Sequence, residues 1–220
     1  MEQMDKSYII SQTEIFVKEQ LGQDTTGHDW WHSDRVRNTA SAIAEIEKAD
    51  AFICTMAALL HDVADEKLNP SKEVGLQKVH TWLTSHLTDQ EQISHIMMII
   101  ETMSYSGGGG EPMSTVEGQV VQDADRLDAI GAIGIARVFA FSGAKDRPIY
   151  DPGLPPRDES LKEEYRNYSK GTAINHFYEK LLKLKTLMNT TYGRQLAEER
   201  HEFMLTFLDQ FYKEWNQGDK

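Results

Sequence analysis

The sequence holds one cysteine, Cys54, in 220 residues. An internal disulfide is therefore excluded, and the thiol's place in an apolar run reads as a plain buried side chain. Long hydrophobic stretches are missing as well. The longest nearly unbroken one, Ala51 to Leu60, falls well short of the roughly 20 residues a membrane helix needs. Met1 to Lys6 lacks the basic and apolar regions of a secretion signal, so a soluble cytoplasmic protein is expected, with no membrane partner. Basic residues are few: 23 Lys and Arg against 35 Asp and Glu leave a net charge of −12. Such a surface repels nucleic-acid backbones, and no nucleic-acid partner is expected. A small phosphorylated ligand stays open, because one metal ion and a few arginines or lysines can reverse the potential inside a single pocket.

Alternating strand-and-turn patterns and internal repeats are also absent, and what is present is helical periodicity. Helices are expected over Ile9 to Leu21, His32 to Lys48 and Ala51 to His61. A fourth follows Asn69-Pro70-Ser71, with Ser71 as its cap, and a fifth follows Thr88-Asp89. One long helix is expected from about Val116 to Phe141. Ile174, Phe177, Tyr178, Leu181, Leu184 and Met188 form one apolar stripe, and a last helix spans Tyr192 to Trp215. Two segments interrupt the pattern: the glycine run Gly107 to Gly110, and Ser142 to Asp158, which carries four of the six prolines. With no composition shift across either, the expectation is an all-α, single-domain helical bundle spanning residues 1–220.

Chemistry concentrates at His61-Asp62, which closes the apolar helix Ala51 to Leu60. Burying an imidazole and a carboxylate together is costly unless they share a partner, and a divalent cation is a natural one. His32 lies upstream, and Asp123 and Asp125 lie downstream on an otherwise apolar helix. Two residues apart on a helix, Asp123 and Asp125 point about 200° apart, so only one of them can reach a shared ion. A mixed imidazole and carboxylate set suits Mn²⁺, Fe²⁺, Co²⁺, Ni²⁺ or Zn²⁺ and leaves room for water and a phosphate oxygen.

The order His32, His61-Asp62, Ala124-Asp125 resembles the signature of the HD-domain metal-dependent phosphohydrolase superfamily. Further segments are similar to a bacterial cytoplasmic subgroup that includes nucleoside triphosphate pyrophosphohydrolases. They are His28-Asp29-Trp30-Trp31-His32, Ala57 to Asp65, Gln122 to Gly134, Arg147 to Pro152 and Ile174 to Leu181. The resemblance runs from about residue 28 to 215. It implies an HD-type fold whose metal-binding core covers about residues 28–135, with C-terminal helices over about 159–217 completing the pocket. It also implies metal ligands at His32, His61, Asp62 and Asp125, the last chosen over Asp123 because a small residue precedes the ligand in the family pattern. The implied cofactor is a divalent cation, Mn²⁺ first and Mg²⁺ among the alternatives. The implied activity is hydrolysis of a nucleotide, a (deoxy)nucleoside triphosphate going to monophosphate and pyrophosphate.

Roles for other residues follow from that ligand set. Asp65, three positions past Asp62 and so on nearly the same face if the helix continues, is the candidate acid/base group, a cap or an ion pair with Lys67 being the structural alternative. Arg35, three after His32, is placed to clamp a phosphate in the forked manner of a guanidinium. Arg126 is a second phosphate contact, with an ion pair to Asp128 as its alternative. His176 and Lys180, four apart on an apolar face, are expected to meet the phosphate tail, and Lys67 and His28 to line the substrate pocket, His28-Asp29 also reading as a helix cap. His80, His86 and His95 are expected at the surface or behind the ligands, and His201 in a structural role. No Gly-Tyr-Pro motif follows the dyad, which sets aside the diguanylate-hydrolysing subgroup. The rival readings are a 5′-nucleotidase or phosphodiesterase on the same fold, a non-catalytic metal-stabilised nucleotide sensor, and a di-iron oxygenase. Oligomeric state stays open, a homodimer through the amphipathic last helix included.

Overall fold

The computed structural model describes residues 5–22, 29–65, 68–103, 113–157 and 171–217. Among them every regular element is helical: α1 (Lys6–Leu21), α2 (Trp30–Glu47), α3 (Ala51–Leu60), a 3₁₀ turn (His61–Ala64), α4 (Lys72–His86), α5 (Gln90–Thr102), α6 (Val116–Asp128), α7 (Gly131–Ala144), α8 (Ala173–Glu179), a second 3₁₀ segment (Leu181–Leu187) and α9 (Thr191–Trp215). No single helix among the described residues is long and apolar enough to cross a membrane. The chain packs as two compact units, residues 1–125 and 126–220.

The first unit is built around α3. Phe52 to Leu60 are all buried, because α2, α1 and α5 pack on different sides of the helix. Its start is fixed by Asp50, whose carboxylate accepts the Phe52 and Ile53 N–H groups at 2.8 and 3.1 Å. Asp29, Ser71 and Asp89 cap α2, α4 and α5 in the same way, all three as the sequence suggests. Cys54 is buried in α3, and burial, with Glu117 and Asp50 nearby, pushes its thiol up to about 12. It is an inert core residue.

The second unit packs α7 and α8 with the second 3₁₀ segment and α9. Fully buried Phe177 stacks on Phe207 with ring centroids 5.7 Å apart. Two expectations are corrected here. The single helix over Val116 to Phe141 is two helices, α6 and α7. Ile130 is extended (φ −126, ψ 169), and Gly131 takes the left-handed φ of 74 that glycine adopts without penalty. The apolar stripe from Ile174 to Met188 is likewise not one α-helix. It breaks at Lys180 (φ −135, ψ −59), beyond which Leu181–Leu187 is 3₁₀.

Candidate metal centre

The end of α3 builds the site. After Leu60 the backbone tightens from α to 3₁₀, so His61 and Asp62 leave the helix in a turn that still has nine buried residues of α3 behind it. His61 Nδ1 donates to the Ala58 carbonyl at 2.8 Å. A carbonyl can only accept, which fixes the tautomer and leaves Nε2 as a lone-pair donor to a ligand. His32 comes from the first turn of α2, its N–H taken by the Asp29 carboxylate at 2.9 Å. The position read as a cap at Asp29 is therefore a cap, and it seats a metal-ligand candidate.

His32 Nε2 lies 3.3 Å from His61 Nε2 and 3.4 Å from Asp62 Oδ2. His61 Nε2 is 3.3 Å from Asp62 Oδ1. Asp125 Oδ1 stands 3.4 Å from His32 Nε2 and 3.9 Å from His61 Nε2. Donors at roughly 2.1 Å from a common centre stand about 3.0 Å apart at octahedral angles and about 3.4 Å apart at tetrahedral ones, so the spacing of His32, His61 and Asp62 fits one divalent ion, with Asp125 beside them. His32, His61 and Asp62 each present one ligand atom within 4.8 Å of the others, the one such cluster among the described residues. His32 is 1 % exposed and Asp62 6 %, whereas the Asp125 side chain is 37 % exposed, so the site is closed on the helix side and open beside Asp125. Burial works to raise the Asp125 carboxyl. The His32 hydrogen bond and the charges of His61 and His32 overcome it and hold the group at about 2. Asp123 is fully buried, pointing away from solvent.

Other sequence candidates fall in different places. Arg35 is half-buried on α2, one turn past His32. Asp65 is half-buried and does not continue the helix, as its link to Asp62 had assumed. It caps the 3₁₀ turn in extended geometry (φ −63, ψ 135), with its N–H on the Asp62 carbonyl at 3.0 Å. Arg126 Nη1 donates to the Leu187 carbonyl, while Asp128 pairs with Arg137 at 2.6 Å. His28 and Lys67 lie outside the described residues, as does the Gly107 to Gly110 run. His86 stacks on Trp82, and His95 lies 3.0 Å from Thr115 Oγ1.

In the second unit, His176 and Lys180 are both half-buried. Burial first, then Lys180 and Arg147, push the His176 imidazole down to about 3, against a smaller opposing pull from Glu179. At neutral pH the imidazole is therefore uncharged. No spacing pattern announces the neighbouring ion pair, in which fully buried Glu179 accepts from Arg157 Nε and Nη2 at 3.0 and 2.8 Å. Burial works against the Glu179 carboxylate, and these Arg157 bonds outweigh it and lower its pKa.

Residues 30–130 match the HD domain family. Protein YpgQ of Bacillus subtilis is 43 % identical over 206 residues, covering 92 % of each chain. The chain belongs to the HD-domain family. An HD-superfamily hydrolase from Bacillus thuringiensis superposes with a TM-score of 0.78 at 49 % identity, over 96 % of this chain and 99 % of that one. The crystal structure of B. subtilis YpgQ in complex with ADP superposes with a TM-score of 0.74 at 40 % identity, over 93 % and 97 % of the two chains. As an HD-domain protein the chain is a metal-dependent phosphohydrolase, and the imidazole and carboxylate cluster is where a divalent metal fits.

Proposed function

We propose that this HD-domain protein hydrolyses (deoxy)nucleoside triphosphates to monophosphate and pyrophosphate, with Mn²⁺ as its metal and His32, His61, Asp62 and Asp125 as the ligands. The observation that carries the reading is the clustering of the His32, His61 and Asp62 donor atoms at single-ion spacing at a buried helix end, with Asp125 Oδ1 3.4 Å from His32 Nε2. The relative crystallised with ADP supports a nucleotide as the ligand.

A bound divalent cation supplies Lewis acidity toward water and a phosphoryl oxygen. The chain supplies position and charge, which dominate phosphoryl transfer. Asp65 takes the proton of the attacking water on its carboxylate. Arg35 clamps a phosphate through two parallel N–H donors, a geometry lysine cannot copy. On this reading Arg126, Lys180 and Lys67 are further assigned to the substrate as cations, His176 as a neutral hydrogen-bond donor, and His28 as a substrate contact.

The test is purified protein with Mn²⁺ and a panel of ribo- and deoxynucleoside triphosphates, the products resolved by ion exchange. Monophosphate and pyrophosphate in equal amounts are expected. Orthophosphate alone assigns a phosphatase or nucleotidase instead, and binding without turnover assigns a sensor. Asp125→Asn is expected to cut Mn²⁺ affinity by about tenfold or more, on the scale of losing a charged ligand, with Asp123→Asn having less effect.

A further inference from the structure

Asn69 belongs to no role so far described, yet it closes the turn that carries the His61-Asp62 dyad. Its side-chain amide donates to two carbonyls at once, Val63 at 2.8 Å and Asp65 at 2.8 Å. The Asp65 carbonyl also accepts the Leu68 N–H at 3.1 Å, so both of its lone pairs are engaged. Asn69 is only 9 % exposed, and the residue after it is Pro70, which restricts its backbone to extended conformations before any contact forms. The amide has nowhere to swing. A Cβ on Gly75, in the first turns of α4, would stand 2.5 Å from the Ala64 carbonyl oxygen and 2.8 Å from Asn69 Nδ2. The start of α4 thus presses on both the turn and the amide that holds it.

Asn69-Pro70-Ser71 marks a helix start, and nothing in it announces a side-chain bridge back to the preceding turn. What the bridge controls is specific. The 3₁₀ turn ends at Ala64, and Asp65 is the first residue whose backbone is extended. Backbone φ and ψ set the direction of a Cα–Cβ bond and restrict its rotamers, and the backbone around Asp65 is held by hydrogen bonds on the Val63 and Asp65 carbonyls rather than by helix continuation.

We propose that Asn69 is a positioning residue for hydrolysis, acting through Asp65: its amide fixes the backbone on both sides of Ala64 and thereby aims the Asp65 carboxylate at the attacking water. The inference rests on the acid/base reading of Asp65 given above. Asn69→Asp keeps the shape, removes both donors and sets a carboxylate against two carbonyl oxygens. Asn69→Ser keeps one hydroxyl donor and serves as the milder variant should Asn69→Asp fail to fold.

The experiment is a double-mutant cycle on nucleotide hydrolysis with Asp65→Asn, Asn69→Asp, Asn69→Ser and the Asp65→Asn combinations, together with Mn²⁺ titration calorimetry on each. Asp65→Asn is expected to lower kcat by about 10²-fold or more, the scale of a lost acid/base group. Asn69→Asp is expected to lower kcat at least about tenfold, and Asn69→Ser less. KM and Mn²⁺ affinity should stay within about twofold, and the double variants should be no slower than Asp65→Asn alone. Losses that multiply in the double variants overturn the proposal, as does unchanged kcat in Asn69→Asp. A tenfold fall in Mn²⁺ affinity in either Asn69 variant overturns it too, because Asn69 would then act on the metal ligands. Full kcat in Asp65→Asn overturns the acid/base reading itself, a result distinct from failure of the coupling.

Discussion

Burial, Lys180 and Arg147 hold the His176 imidazole near 3, so the folded protein refuses a proton that an unfolded histidine accepts near 6.5. The sign follows directly. Above about pH 7 both states are neutral at this residue and it contributes no slope. As pH falls from about 6.5 toward 3, the unfolded chain gains the proton and stability drops by up to about 1.4 kcal/mol per pH unit. His176→Gln, a neutral side chain of similar reach, should flatten that part of the profile. Urea midpoints at pH 7.5, 6.0 and 5.0 measure it: the wild type should lose more stability than the variant, and parallel losses would show that His176 charges in the fold. The same comparison of residue with environment explains what could be read in advance. The gathering of His32, His61 and Asp62 was legible because burying such groups is costly without a shared partner, and residue type records that cost. The backbone at Asp65 was not legible, because its placement extends a helix that ends before it, and the Asn69 bond reaches across six residues that no spacing rule announces.

At the scale of elements, α3 was legible from its unbroken apolar run, whereas the break between α6 and α7 was not. Ala129 and Ile130 both fit a continuing apolar stripe, and the interruption is a backbone event centred on Gly131 at φ 74. The stripe over Leu181–Leu187 misled for a related reason, since apolar spacing does not distinguish α from 3₁₀ when a segment is short. Glycines in α7 test how the break is held. A Cβ on Gly134 would overlap the Ala129 carbonyl, so the start of α7 closes against the residue before the break only because that side chain is missing. Gly134→Ala is expected to destabilise by about 1–3 kcal/mol, the range for forcing atoms into a packed contact. Gly143, in the last turn of the same helix, has nothing within 4 Å of its would-be Cβ. Gly143→Ala should therefore stabilise by a few tenths to about 1 kcal/mol, through a less flexible unfolded chain and better helix propensity. Chemical denaturation of both variants decides. Equal effects of one sign would mean that the contact at Ala129 is not what sets the difference.

For the whole molecule, the deciding balance is between one specific cation site and a surface of net charge −12 that attracts cations everywhere. A ligand that binds only the folded state stabilises it by RT ln(1 + [L]/Kd), about 2.7 kcal/mol at a hundredfold excess over Kd. For a chain of this size that is on the order of 5–10 °C in melting temperature. Diffuse binding by surface carboxylates adds to any such shift at low salt but is screened within about 8 Å at physiological ionic strength, whereas His32 and Asp62 are buried, so an ion bound between them is largely beyond that screening. Chelator-treated protein should therefore melt on the order of 5–10 °C below the Mn²⁺-loaded protein, and the gap should survive added 0.15 M salt (about one Debye length of 8 Å). In His61→Ala the gap should disappear, because the turn then offers no second imidazole to the ion, while Lys180→Ala should keep it in full. A salt-sensitive gap that persists in His61→Ala would assign the stabilisation to the acidic surface and remove the metal from the end of α3.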